Sequence, residues 1–93
     1  MKTTTLNGRD GLQLAADIDG DPRNAAVILL HGGGQTRHAW ARAFRELVTR
    51  GYHAISYDAR GHGHSTGRPA PEDYRWTTLA DDLLRQLDYW FPG

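Results

Sequence analysis

Apolar residues Leu12, Leu14, Ala16 and Ile18 interleave with Gln13, Ala15 and Asp17 early in the chain. A period of two is the mark of a strand with one buried face. Thr3, Thr4, Thr5 and Leu6 form a partner strand. Asn7-Gly8-Arg9-Asp10-Gly11 lies between the two and supplies turn residues, so the pattern predicts a hairpin. Gly20-Asp21-Pro22-Arg23-Asn24 is a second turn. Ala25 to Leu30 is different in kind: a continuous apolar run, as expected of a strand covered on both faces in a parallel sheet. A glycine loop follows it, His31-Gly32-Gly33-Gly34. Trp40, Phe44, Leu47 and Val48 then recur at the spacing of one helix stripe. Arg50 sits in the last turn of that helix, and Gly51 just past it is a suitable stop.

His53 to Tyr57 reads as another strand and completes a βαβ unit, whose crossover is expected to be right-handed. Asp58 to Asp73 is a polar loop. A second helix is expected from near Thr77 or Thr78, with Leu79, Leu83, Leu84, Leu87, Trp90 and Phe91 along one side. Asp81 and Asp82 fall in its first turns, where the helix dipole favours negative charge, and Pro92-Gly93 ends it. The fold class read from this order is α/β: an antiparallel hairpin plus a βαβ unit in one mixed sheet, with helices on both faces.

Composition narrows the function. With 93 residues, the chain forms at most one small domain, residues 1–93. Eleven Lys+Arg balance eleven Asp+Glu, and no run of like charge stands out, which argues against a nucleic-acid or membrane-surface partner. The absence of cysteine excludes disulfides and thiolate metal sites. The longest apolar run falls far short of the ~20 residues of a membrane span. The first residues lack the apolar segment of a secretory signal, so the expected location is cytoplasmic.

Two segments carry candidate chemistry. His31-Gly32-Gly33-Gly34-Gln35-Thr36 lies between a buried strand and a helix. Glycines there let backbone N–H groups face a ligand without side-chain obstruction. Such donors serve an anion at a helix start or an oxyanion hole, and the same residues also suit a plain tight turn. Tyr57-Asp58-Ala59-Arg60-Gly61-His62-Gly63-His64-Ser65 follows the next strand. On its own it reads as an irregular loop pinned by an Asp58–Arg60 pair and turn glycines.

Together the two segments resemble the α/β-hydrolase family. The resemblance rests on His31-Gly32 after an apolar strand, Trp40 nine residues beyond His31, and Asp58-x-Arg60-Gly61-x-Gly63-x-Ser65 after the following strand. It covers nearly the whole chain, but only the family's N-terminal part. It implies that Ala25 to Leu30 is the third strand, lying between the fourth (His53 to Tyr57) and a fifth that should start where the chain stops. It also implies that Gly33 donates one oxyanion-hole N–H, with Gly34 beside it. The chemistry implied is hydrolysis of an ester or similar bond in a small-molecule substrate, by nucleophilic catalysis and without a cofactor.

The family's nucleophile sits in a G-x-S-x-G elbow after the fifth strand, followed by an acid and a histidine. Gly63-His64-Ser65-Thr66-Gly67 matches that string literally. An elbow, however, needs a strand running straight in and a helix straight out. The last strand residue is about Tyr57, and Arg68-Pro69-Ala70-Pro71 does not open a helix promptly. Ser65 is therefore read as a loop-capping hydroxyl rather than as the nucleophile, and no nucleophile is assigned. The chain is expected to be a truncated, non-catalytic piece on its own.

Three other readings compete. His62 and His64 form an H-x-H pair, with Asp58 as the only near carboxylate, too few groups for a metal site. His31 is read as a structural turn residue. Gly32-x-Gly34 between strand and helix, with Asp58 ending the next strand, makes up much of a dinucleotide fingerprint. That fingerprint fails at Arg37, where a third glycine should allow close helix–strand contact. Finally, an unpaired edge on the strand 25–30 is expected to favour self-association.

Overall fold

The computed structural model describes residues 1–66 and 74–91. Strands β1 (Lys2–Asn7) and β2 (Gln13–Asp19) form the hairpin that the alternation predicts, with Leu6 opposite Leu14 and Thr4 opposite Ala16. A single 3-10 turn, Arg9–Gly11, joins them, and Asp10 in it takes a left-handed conformation at φ 58°. Strand β3 (Ala26–Leu30) leads through a 3-10 turn (Arg37–Trp40) into helix α1 (Ala41–Thr49) and on to strand β4 (His53–Tyr57). Helix α2 (Trp76–Trp90) follows. The sheet order is β1-β2-β4-β3, with β3 parallel to β4 and β4 antiparallel to β2.

Helix α1 stops where the sequence places its stop. The Tyr52 N–H donates to the Leu47 carbonyl at 2.9 Å and the Gly51 N–H to that of Val48 at 3.0 Å. This double closure satisfies two of the carbonyls that every helix end leaves open.

Side chains alternate across the sheet and meet a helix on each face. Leu6, Leu14, Ala16, Ile55 and Tyr57 form the buried cluster on one face, with Ile18, Ala26, Ile28 and Trp90 of α2 packed against it. Removing each larger apolar side chain from water contributes about 1.5–3 kcal/mol. The opposite face carries Asp17, Ser56 and the buried Arg37, and Phe44 of α1 is buried above them. All five residues of β4, which has neighbours on both sides, are buried.

Three expectations need correction. Strand β3 is only half-buried rather than covered on both faces, because β4 is its single neighbour among the described residues. On α2 the buried positions are Thr78, Asp82 and Gln86, while Leu84, Leu87 and Phe91 are exposed. The polar stripe is buried because it has partners: Asp82 meets Arg60, and the Gln86 side chain donates to the Asn7 carbonyl at 2.9 Å. Asp81 and Asp82 also lie beyond the first turn of α2, since that helix begins at Trp76. The expected helix stop at Pro92-Gly93, and the segment Gly67 to Asp73, lie outside the described residues.

Candidate functional site

The glycine loop begins where β3 ends. The Gln35 N–H donates to the Gly32 carbonyl at 3.2 Å, closing a four-residue turn in which Gly34 has φ 75°. A side chain at Gly34 would be strained by that dihedral angle. The Gly32 N–H donates to Gln35 Oε1 at 3.0 Å. His31 Nδ1 donates to the Gly32 carbonyl at 2.7 Å, and His31 Nε2 accepts the Ala59 N–H at 2.9 Å. His31 is thus a neutral imidazole in the Nδ1–H form, joining the glycine loop to the loop after β4. Both polar backbone groups of Gly32 are engaged. Among the described residues, the N–H groups of Gly33 and Gly34 donate to no acceptor. A Cβ built on either would meet nothing within 4 Å, so the side-chain side of both glycines is open.

The chain then turns into α1. Thr36 caps the 3-10 turn, its Oγ1 accepting from the His38 N–H at 3.3 Å. Trp40 donates its indole N–H to the Leu30 carbonyl at 2.7 Å, tying the helix entry to the end of β3. Its ring, expected on the buried stripe, is exposed.

The loop after β4 is held by long-range pairs rather than by the local Asp58–Arg60 pair that its sequence suggests. Asp58 is fully buried and accepts from the Arg37 N–H at 2.6 Å, Arg37 Nη1 at 2.6 Å and the His64 N–H at 2.9 Å. Burial pushes the Asp58 carboxyl up, but the two backbone donors and the Arg37 guanidinium outweigh it and hold the group below the usual carboxylate range. Arg37 also lies with Nε 3.1 Å from Asp17 Oδ2, so one buried guanidinium sits between two carboxylates. Gly63 (φ 52°) packs directly on the Asp58 carboxylate, leaving no room for a Cβ. Arg60, also fully buried, binds Asp82 of α2. Beside this pair, burial and the nearby Asp82 charge push the Tyr57 phenol well above its ordinary value.

Ser65 does not point into open space. Its Oγ donates to the Asp58 carbonyl at 2.6 Å and accepts the Ala15 N–H at 2.8 Å. Thr66 continues the pattern: its N–H donates to the Gln13 carbonyl, and its Oγ1 accepts the Gln13 N–H, both at 3.0 Å. Residues 65 and 66 therefore extend the ladder of β2 past the point where β4 ends. His62 Nδ1 donates to the Arg60 carbonyl at 3.0 Å, and its ring lies 5.2 Å from that of His31. His64 Nδ1 lies 3.5 Å from Arg37 Nη1. Among the described residues, no three His, Asp or Glu side chains are grouped to hold a metal ion.

The dinucleotide reading needs Asp58 free for a ribose, but Asp58 is committed to Arg37, the residue that already broke the fingerprint. The family model of the alpha/beta hydrolase fold matches residues 25–89, which include both loops. The chain belongs to the α/β-hydrolase fold family. It is 39% identical over 83 residues to the non-heme chloroperoxidase CPO-A1 of Kitasatospora aureofaciens, covering 86% of this chain and 29% of that protein. It is 34% identical over 86 residues to epoxide hydrolase A of Mycobacterium tuberculosis, covering 92% of this chain and 27% of that one. The crystal structure of epoxide hydrolase A from Mycobacterium thermoresistibile superposes with a TM-score of 0.87 at 30% identity, over 96% of this chain and 28% of that chain. The α/β-hydrolase chain thus spans less than a third of the length of these relatives.

Sequence reasoning placed the two loops correctly but missed the buried ion groups. Arg37 entered it only as a misfit glycine, and Asp17 and Asp82 only as a strand position and a helix-dipole charge. The available signal was an arginine three residues past the last glycine of the loop, at the entrance of an otherwise apolar stripe.

Proposed function

We propose that this chain carries the oxyanion-stabilising part of an α/β-hydrolase acting on an ester or related bond of a small molecule by nucleophilic catalysis. The observation that supports it is the pair of free amides at Gly33 and Gly34, beside a Gly32 whose polar groups are all engaged. Unpaired donors held at the end of a strand are what a carbonyl oxygen gaining negative charge requires. The relatives named as epoxide hydrolase and chloroperoxidase share this portion of the fold, so it carries a function common to different substrates rather than one that selects among them. No nucleophile, acid and base set is assigned on this reading, and Ser65 serves as a capping hydroxyl, its Oγ bonded to the Ala15 N–H and the Asp58 carbonyl. Alone, the chain does not turn over esters, needs no cofactor or metal, and works in the cytoplasm without nucleic acid or membrane.

Titration with methylphosphonate, a small tetrahedral anion, tests the reading by amide NMR. The Gly33 and Gly34 resonances should move while that of Gly32 stays. Equal movement of all three, or of none, overturns it.

A further inference from the structure

A run of three glycines has no conformation of its own, since each glycine loses more freedom on ordering than any other residue. Free donors stabilise charge only when already aimed, because reorienting them at the moment of reaction costs what they would contribute. Something other than the glycines must therefore hold this loop. Two side chains do so from opposite directions. Gln35 closes on Gly32 twice, receiving the Gly32 N–H on Oε1 and donating its own N–H to the Gly32 carbonyl. His31 takes the other lone pair of the same carbonyl through Nδ1 and anchors it through Nε2 to the Ala59 N–H. Ala59 follows Asp58, which is itself fixed by Arg37 and His64. The loop is thus referred to the rigid end of β4 rather than to its own backbone.

We propose that Gln35 and His31 are positioning residues: they fix Gly32 so that the Gly33 and Gly34 amides are held outward and unpaired. The proposal rests on the reading of those amides as oxyanion donors, but it concerns their order, which is measured separately. The role given to each side chain acts through Gly32. Gln35 acts through an oxygen acceptor, so a carboxylate can replace it and a methyl cannot. His31 acts only with its proton on Nδ1, and an imidazole free of such constraints has no need to place it there.

The test is NMR of the isotopically labelled 93-residue chain in dilute, slightly alkaline solution. Long-range nitrogen–carbon-proton correlations should show His31 with Nδ1 protonated and Nε2 bare. In Gln35→Ala, exchange of the Gly32 amide should rise about five- to tenfold, the loss of one hydrogen bond. The heteronuclear NOE of Gly33 and Gly34 should fall with it. Gln35→Glu should restore both. Amides of His53–Tyr57 serve as the folding control and should not change. An Nε2–H tautomer at His31 overturns the part assigned to it. Unchanged exchange and order in Gln35→Ala, or failure of Gln35→Glu to restore them, overturns the part assigned to Gln35. If the loop is ordered as stated yet methylphosphonate leaves Gly33 and Gly34 unmoved, the oxyanion reading fails and the positioning roles stand.

Discussion

Arg60 grips Asp82 side-on, with Nε 2.8 Å from one carboxylate oxygen and Nη2 2.9 Å from the other. Parallel bonds of this kind fix geometry as well as charge. Both residues are almost completely buried, and the pair joins the loop after β4 to the second turn of α2. Breaking such a pair from one side leaves an uncompensated charge and costs about 3–5 kcal/mol. Asp82→Asn should therefore shift the urea midpoint strongly downward. Asp81→Asn, which removes a half-exposed partner of Arg9, should change it by about 1 kcal/mol or less. Equal effects of the two substitutions would show that the Arg60 bond carries no special weight.

Ser65→Ala should leave esterase activity where it was, at the level of a buffer-plus-imidazole control with p-nitrophenyl esters. It should cost about 1–3 kcal/mol of stability, because the Ala15 N–H and the Asp58 carbonyl both lose their partner. Turnover in the wild-type chain that Ser65→Ala abolishes and His38→Ala leaves intact would make Ser65 a nucleophile after all.

Acid should unfold the chain partly through Asp58. Its folded pKa lies below that of an unfolded aspartate, about 3.9. The stability it contributes is complete above the unfolded value and is lost as pH falls through the folded one. Thermal melts from pH 7 downward should show a steep acid limb. Asp58→Asn should flatten that limb while lowering stability at neutral pH by about 3–5 kcal/mol, with Arg37 left to Asp17 alone. A parallel acid limb in the variant would move the effect to other carboxylates.

The edge of β3 away from β4 has no neighbour among the described residues, and Ala26–Leu30 contains neither charge nor proline. Exposed Trp76, Leu84 and Leu87 on α2, and Phe91 just past its end, add apolar surface to the same molecule. An open apolar edge is a template for further pairing. Sedimentation over a hundredfold range of concentration should show self-association. A monomer that melts sharply, independently of concentration and above about 60 °C, would count against it.

What could be read from the sequence depended on how far away the partners were. β2 and β4 were legible because alternation and apolar runs are local, and the glycine loop because strand and helix patterns bracket it. The buried face of α2 was misread for the opposite reason. Its leucines advertise a core stripe, yet the positions that face inward are Thr78, Asp82 and Gln86, and the partners of Asp82 and Gln86 lie 22 to 79 residues away. No periodicity within the helix reports such partners. In the same way, Asp58 and Arg60 look like a pair two residues apart, but each is taken by a residue from another element. The glycine loop meets the loop after β4 through a His31–Ala59 bond spanning 28 residues, so the sequence could name Gly33 and Gly34 but not the contacts around them.

The hairpin turn has a different history from the strands it joins. β1 and β2 pair across a handful of residues, but the Arg9 N–H in their turn bonds Asp82 across 73 positions, and the Asn7 carbonyl waits for Gln86 across 79. Closing so long a loop is entropically costly and slow beside local pairing. On a ribosome the hairpin leaves the exit tunnel before α2, with its turn still solvated. It gains those partners only once α2 has been made, so closing the turn depends on an element far along the chain rather than on the strands beside it.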